Sequence, residues 1–193
     1  MPQSIIQSKF FLIVVCAFIS AVLQIFQPDF IYLKSKIWFE AWRLWTGHWV
    51  HVGWIHYLLN MLAFACLPYI FPQIKNKTYF CLLMIIAPLL SLTFYFIYPE
   101  IQAYAGLSGV LHGLYIFAAI IYFDQKNERK FALLVIVLVV IKIAWEQKFG
   151  QLGTAKLIGS PVLVQAHLWG VIWASIIAVS YLFYKHKQLK MNG

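Results

Sequence analysis

The chain has 193 residues, 63% hydrophobic, 18% aromatic and only 11% charged, with a net charge of +9 and a mean hydropathy of +0.78. Soluble domains carry about a quarter charged residues, so the composition excludes an ordinary soluble enzyme and points to a membrane protein. Nucleic-acid binding is not expected either, because the basic residues lie mainly in the connections between apolar runs.

Apolar runs occur at 10–26, 56–71, 78–98, 106–123, 131–145 and 161–184. A spanning helix needs roughly 20 mostly apolar residues. Six such helices take up most of the length, so the prediction is an all-α membrane protein: one six-transmembrane-helix bundle over 1–193. The first run, "FFLIVVCAFISAVLQIF", has only Lys9 as a basic residue before it and no small-x-small cleavage site. It reads as a retained helix, not a secretory signal. Alternating helices put Lys9, Lys75, Lys77, Lys126, Arg129, Lys130, Lys185, Lys187 and Lys190 on one face. Lys34, Lys36, Arg43, Lys148 and Lys156 fall on the other, with Lys142 near a helix end where it can snorkel outward. The positive-inside rule then predicts that both termini are cytoplasmic.

Segment 28–55 holds Trp38, Trp42, Trp45, Trp49 and Trp54, and tryptophan concentrates at the headgroup level. This loop is expected to lie in the outer interface. Segment 146–160, "EQKFGQLGTAKLIGS", carries three glycines without a strong period and reads as a mobile cap. Cys16, Cys66 and Cys81 lie within apolar runs and read as small core residues.

The second, fourth and sixth runs all enter from the outer side. His56 opens the second run and Asn60 lies one turn deeper on the same face. Ser108 sits near the start of the fourth, and His167 about six residues into the sixth, roughly 9 Å along its axis. Four polar side chains from three helices thus share a depth. The pairs Gly109/Gly113 and Gly170/Ala174 let the fourth and sixth helices pack closely, which would bring Ser108 against His167 with the spacing of a nucleophile and its base. Taken singly, Ser108 reads as well as a local backbone hydrogen-bonder, and His56 as an interfacial residue. Intramembrane ionisable groups are rare and usually functional.

Asp29, Glu40, Glu100, Asp124, Glu128 and Glu146 all fall in loops or at helix ends. No pair of intramembrane carboxylates is available for an aspartyl protease, and HExxH is absent. A serine–histidine dyad without a third acid remains, and no cofactor or metal is expected. A metal or haem site on His48, His51 and His56 is disfavoured, because their spacing does not put all three on one helical face and no carboxylate accompanies them.

"GLSG" at 106–109, "HYLLN" at 56–60 and "AHLWG" at 166–170 resemble the GxSG, HxxxN and AHxxG motifs of rhomboid intramembrane serine proteases, and "WR" at 42–43 and His51 resemble features of their first outer loop. "GLSGVLHG" at 106–113, "KIAWEQ" at 142–147 and "LIGSPVLVQAHLWG" at 157–170 are similar to the rhombosortase subfamily. The resemblance implies Ser108 as nucleophile and His167 as general base, with His56, Asn60 and the Ser108 backbone N–H as the oxyanion hole. Gly106 and Gly109 would support the serine. His112 stands where many rhomboids have a tyrosine and is expected to stack on His167; Ala174 stands where a second glycine is frequent.

The resemblance also implies an intramembrane serine endopeptidase acting on membrane-anchored exported proteins with a C-terminal Gly-Gly, helix and basic tail. It would sit in the lipid bilayer of a bacterial inner membrane, its active site open to the periplasmic side, with lateral substrate access near the second and fifth helices. A catalytically inactive rhomboid-like protein that binds membrane helices is the alternative.

Overall fold

A computed structural model describes residues 2–150 and 153–191. In chain order the elements are α1 (Gln3–Ile25), α2 (Gln27–Phe30), β1 (Tyr32–Leu33), α3 (Arg43–Thr46), α4 (Trp54–Ile70), α5 (Asn76–Ile97), β2 (Ala103–Tyr104), α6 (Ser108–Phe123), α7 (Arg129–Phe149), α8 (Thr154–Ile158) and α9 (Val164–Met191). The protein is nearly all helical, and each apolar run of the sequence lies largely within one long helix. Among the described residues three helices, α1, α5 and α9, are long and apolar enough to cross a membrane, while α4 and α6 are shorter apolar helices.

Helix α6 is the hub. It packs most extensively on α9 and also contacts α7, α5 and α4. Ten of its sixteen residues are buried, as expected for a helix enclosed by neighbours. The α6–α9 crossing is a backbone meeting. A Cβ added at Gly109 would lie 2.9 Å from the Ala166 carbonyl oxygen, and one at Gly170 would fall on the Gly109 carbonyl oxygen. Membrane helices associate through such close packing, because lipid is as apolar as leucine and gives no hydrophobic drive. The outer faces of α1 and α7 instead expose Phe10, Phe11, Phe18, Leu133, Leu134 and Ile141, suiting an apolar solvent. Cys66 and Cys81 are also exposed, so of the three free cysteines only Cys16 is a core residue.

The loop between α1 and α4 is folded down onto the bundle. Its β1 pairs antiparallel with β2, Tyr32 opposite Tyr104 and Leu33 opposite Ala103. Arg43, 2% exposed, donates through Nε to Glu40 Oε2 and through Nη1 to the carbonyls of Pro28 and Ile31. Ser20 of α1 donates to the Trp49 carbonyl, and Gln24 exchanges hydrogen bonds with the His51 backbone. Trp38, Trp42 and Trp54 are exposed, whereas Trp45 donates to the Met84 carbonyl of α5 and Trp49 is buried. The five tryptophans therefore divide between an outward set and an inward anchor.

Two boundaries differ from the sequence reading. Helix α7 continues to Phe149, so 146–149 belongs to a helix and not to a mobile cap. A basic and an acidic residue end the apolar run without ending the helix, and Gly150, at φ +77°, stops it. Helix α9 begins at Val164, not 161, because Gly159 and Pro161 break the chain before it. Residues 151 and 152 of the expected cap lie outside the described residues.

Candidate active site

Ser108 is the first residue of α6. The turn before it requires Gly106, whose φ is +146° and whose missing Cβ leaves room for the His56 ring; an added Cβ would lie 2.8 Å from His56 Cε1. The Gly106 N–H donates to the Gly47 carbonyl, tying this turn to the loop. His167 lies in the first turn of α9, fourth from its start and 3% exposed. The α6–α9 crossing sets Ser108 Oγ 2.9 Å from His167 Nε2.

The other ring nitrogen is also engaged. His167 Nδ1 lies 2.8 Å from Glu146 Oε2, and the remaining carboxylate oxygen is held by Lys142 Nζ, one turn earlier on α7. Glu146 is 3% exposed. The expectation that serine and histidine stand without an acid is therefore corrected. The carboxylate belongs to the last turns of a helix that packs on α9. The sequence signal that could have found it is the i, i+4 spacing of Lys142 and Glu146, which suits one continuing helical face. Glu146 also stands near the end of the fifth run, on the side where α9 begins.

His112, one turn after Ser108, stacks on His167 with ring centroids 4.1 Å apart and planes at 21°. Its Nδ1 lies 2.7 Å from the Ser108 carbonyl. A carbonyl only accepts, so His112 donates through Nδ1. It thus touches both partners of the pair, through its ring face and through Nδ1.

His56 and Asn60, on α4, border the same cavity of about 160 Å³ as Ser108, His112 and His167. Asn60 Nδ2 donates to the His56 carbonyl, 2.9 Å, leaving its second amide hydrogen and its oxygen for other partners. The His56 ring packs edge-to-face on His51 at 5.1 Å. Ser108 also borders a cavity of about 680 Å³ between α4, α6 and α7, lined by Ala63, Leu111, Tyr115, Val135 and Leu138. A third cavity, about 310 Å³, lies between Ser108, the Ala103–Ala105 stretch and residues 160–163. One hydroxyl thus opens onto a polar chamber, an apolar trough and an outer cleft.

His48 and His51 belong to the loop. Burial pushes both down to about 3, with neighbouring His56 adding to the effect at His51, so both are neutral near neutral pH. His48 Nε2 lies 3.0 Å from Ser91 Oγ and its ring packs near Tyr104, which gives it a packing role. Among the described residues, the group with ligand atoms close enough for a metal is His112, Glu146 and His167. There Lys142 already supplies a cation to the carboxylate, and His112 Nδ1 and both ring nitrogens of His167 are engaged by the Ser108 carbonyl, Glu146 and Ser108 Oγ.

No curated protein matches the chain. A rhomboid domain, however, matches residues 39–184, from the loop before Arg43 to the last turns of α9, so the segment that builds the Ser108–His167 pair is the one the family shares. The chain belongs to the rhomboid family, a family mainly of intramembrane serine proteases.

Proposed function

We propose that this rhomboid is an active intramembrane serine endopeptidase in which Ser108 is the nucleophile and His167 the general base. The observation that carries the reading is the 2.9 Å contact between Ser108 Oγ and His167 Nε2 at the mouth of an apolar trough. That distance is within reach for direct proton transfer. Ser108 Oγ attacks the scissile carbonyl carbon as its proton passes to Nε2. The oxyanion is stabilised by Asn60, His56 and the Ser108 N–H at the positive end of α6. His167 then protonates the leaving amine, and water entering through the outer cleft hydrolyses the acyl-enzyme.

The six long helices are read as six spans of one unit over 1–193, with both termini cytoplasmic and the helix starts of α4, α6 and α9 near the outer, periplasmic side of an inner membrane. The substrate class is anchored exported proteins whose C-terminal helix follows a Gly-Gly pair and precedes a basic tail. Flexible glycines suit a segment that must leave its helix before cleavage. Such a helix would reach Ser108 laterally through the trough between α4 and α7.

Ser108→Ala and His167→Ala, assayed on an anchored substrate with a Gly-Gly tail, test the reading. Both variants are expected to lose cleavage while still inserting in the membrane. If both still cut, the mechanism is wrong. If the parent protein binds the substrate helix and never cuts it, the protein is a rhomboid-like helix binder.

A further inference from the structure

We propose that Glu146 is a third member of the reacting chain, holding His167 in the tautomer and orientation that let Nε2 take the serine proton. This rests on the Ser108–His167 reading above. An ionised carboxylate is an acceptor only. With Glu146 Oε2 2.8 Å from Nδ1, the ring hydrogen of neutral His167 sits on Nδ1 and the lone pair of Nε2 faces Ser108 Oγ. Without that acceptor a neutral imidazole divides between two tautomers, one of which presents a hydrogen to the hydroxyl and cannot accept its proton. Both residues are 3% exposed, so water is a poor substitute.

The carboxylate also answers the charge that the step creates. When the Ser108 proton moves to Nε2 and Oγ bonds the carbonyl carbon, the carbonyl electron pair moves to oxygen and His167 becomes an imidazolium. No proton moves to Glu146, which stays a carboxylate beside the new cation. Before the step, Lys142 on the other carboxylate oxygen compensates this buried charge. The groups facing His167 are Glu146 and Lys142 from α7, His112 and Ser108 from α6, and His56 from α4; Thr93 of α5 and Tyr98 just after it offer α9 their hydroxyls, bonded to Trp173 and Trp169. Glu146 is the one acid among them. Gln147 Nε2 reaches the Val164 carbonyl at 3.3 Å, fixing the end of α7 to the start of α9. The Trp-Glu-Gln stretch at 145–147 therefore joins a positioning acid to its anchor.

The test uses the full chain in liposomes with an anchored substrate, comparing Glu146→Gln and Glu146→Asp with the parent and with Ser108→Ala. Glu146→Gln is expected to lower kcat by about 10²- to 10⁴-fold with little change in KM. The acid limb of its pH–rate profile should move to lower pH, because the imidazolium loses its carboxylate. Glu146→Asp should recover part of the loss. A Gln variant within about threefold of the parent, with an unmoved acid limb, overturns the proposal. Should that variant not fold, ¹⁵N-histidine NMR of the parent decides, with His167 assigned by its loss in His167→Ala: a hydrogen on Nδ1 supports the role and a hydrogen on Nε2 overturns it. Loss of cleavage in Ser108→Ala with full activity in Glu146→Gln sinks this proposal alone. Cleavage by Ser108→Ala sinks both readings.

Discussion

His112 and His167 lie ring on ring, their centroids 4.1 Å apart, although they come from different helices separated by more than fifty residues of chain. The contact fixes the plane of the His167 ring, while the bond from His112 Nδ1 to the Ser108 carbonyl braces the first turn of α6. The two jobs are separable. His112→Tyr keeps an aromatic face against His167 and gives up the brace; it is expected to retain activity within about tenfold. His112→Ala loses both and should fall well below His112→Tyr. Initial rates on an anchored substrate, set against thermal unfolding in detergent, check this order.

The contact between α6 and α9 leaves no room for a methyl group at its centre. Gly109→Ala would push a Cβ to 2.9 Å from the Ala166 carbonyl, and backbone cannot move aside as a side-chain tip can. Overpacking of this kind costs about 1–3 kcal/mol. The helices must separate, and the Ser108–His167 distance widens with them. Gly109→Ala should therefore lower the melting temperature and cut activity by about 10²-fold. Fluorophosphonate labelling of Ser108 should slow in parallel.

Much of this arrangement was legible in the sequence. The apolar runs located the six long helices, and the glycine pairs located the α6–α9 crossing, because lipid-embedded helices can approach only where side chains are small. Ser108, His167, His56 and Asn60 stood out as polar groups at one depth. Glu146 did not. A short run of charged and polar residues after an apolar run looks like a loop, and only the tertiary contact with His167 shows that α7 carries its last turn into the site. The inward anchoring of Trp45 and Trp49 was hidden for a related reason. Composition shows that a tryptophan is amphipathic, but not which of five neighbours finds a carbonyl to donate to.

His48 and His51 make the loop acid-sensitive. Burial holds both near 3, while an unfolded histidine titrates near 6.5. The unfolded chain thus binds more protons between those values, so stability is complete above about pH 6.5 and is lost progressively as pH falls towards 3. At pH 5 the loss amounts to about 2 kcal/mol for each histidine. His51→Phe, which keeps a ring against Tyr57, removes one titrating group. Its melting temperature should fall less steeply between pH 7 and pH 5 than that of the parent. Equal slopes would show that His51 does not carry the effect.

Arg43 holds the loop through three acceptors at once: Glu40 and the carbonyls of Pro28 and Ile31. A guanidinium fork fits three directions, and a lysine ammonium on a flexible stem does not. Arg43→Lys should lose about 1 kcal/mol, because the part-buried carbonyls of Pro28 and Ile31 lose their guanidinium donor. Because Gly47 of the same loop accepts from the Gly106 N–H in the turn before Ser108, a slackened loop should reach Ser108 as well. The expected result is a lowered melting temperature with a severalfold fall in kcat. Unchanged kcat at a lowered melting temperature would show that the loop and the Ser108 turn are not coupled.

The trough between α4, α6 and α7 offers a separation of substrate binding from chemistry. It holds about 680 Å³, and Val135 lines its α7 wall while making none of the contacts around Ser108. Val135→Trp fills part of that space with a large rigid ring and leaves the Ser108–His167–Glu146 chain untouched. A fluorophosphonate is small and reaches Ser108 from the outer cleft, so its labelling rate should stay near that of the parent. On the proposed lateral route an anchored helix lies along the trough, so its KM should rise by tenfold or more with kcat little changed. A soluble peptide carrying the same cleavage sequence separates the two routes further, since it needs the cleft and not the trough. If the tryptophan slowed labelling as much as cleavage, the substitution would have disturbed the pair itself. If it changed neither, membrane-anchored substrates would reach Ser108 by a route other than the α4–α7 face.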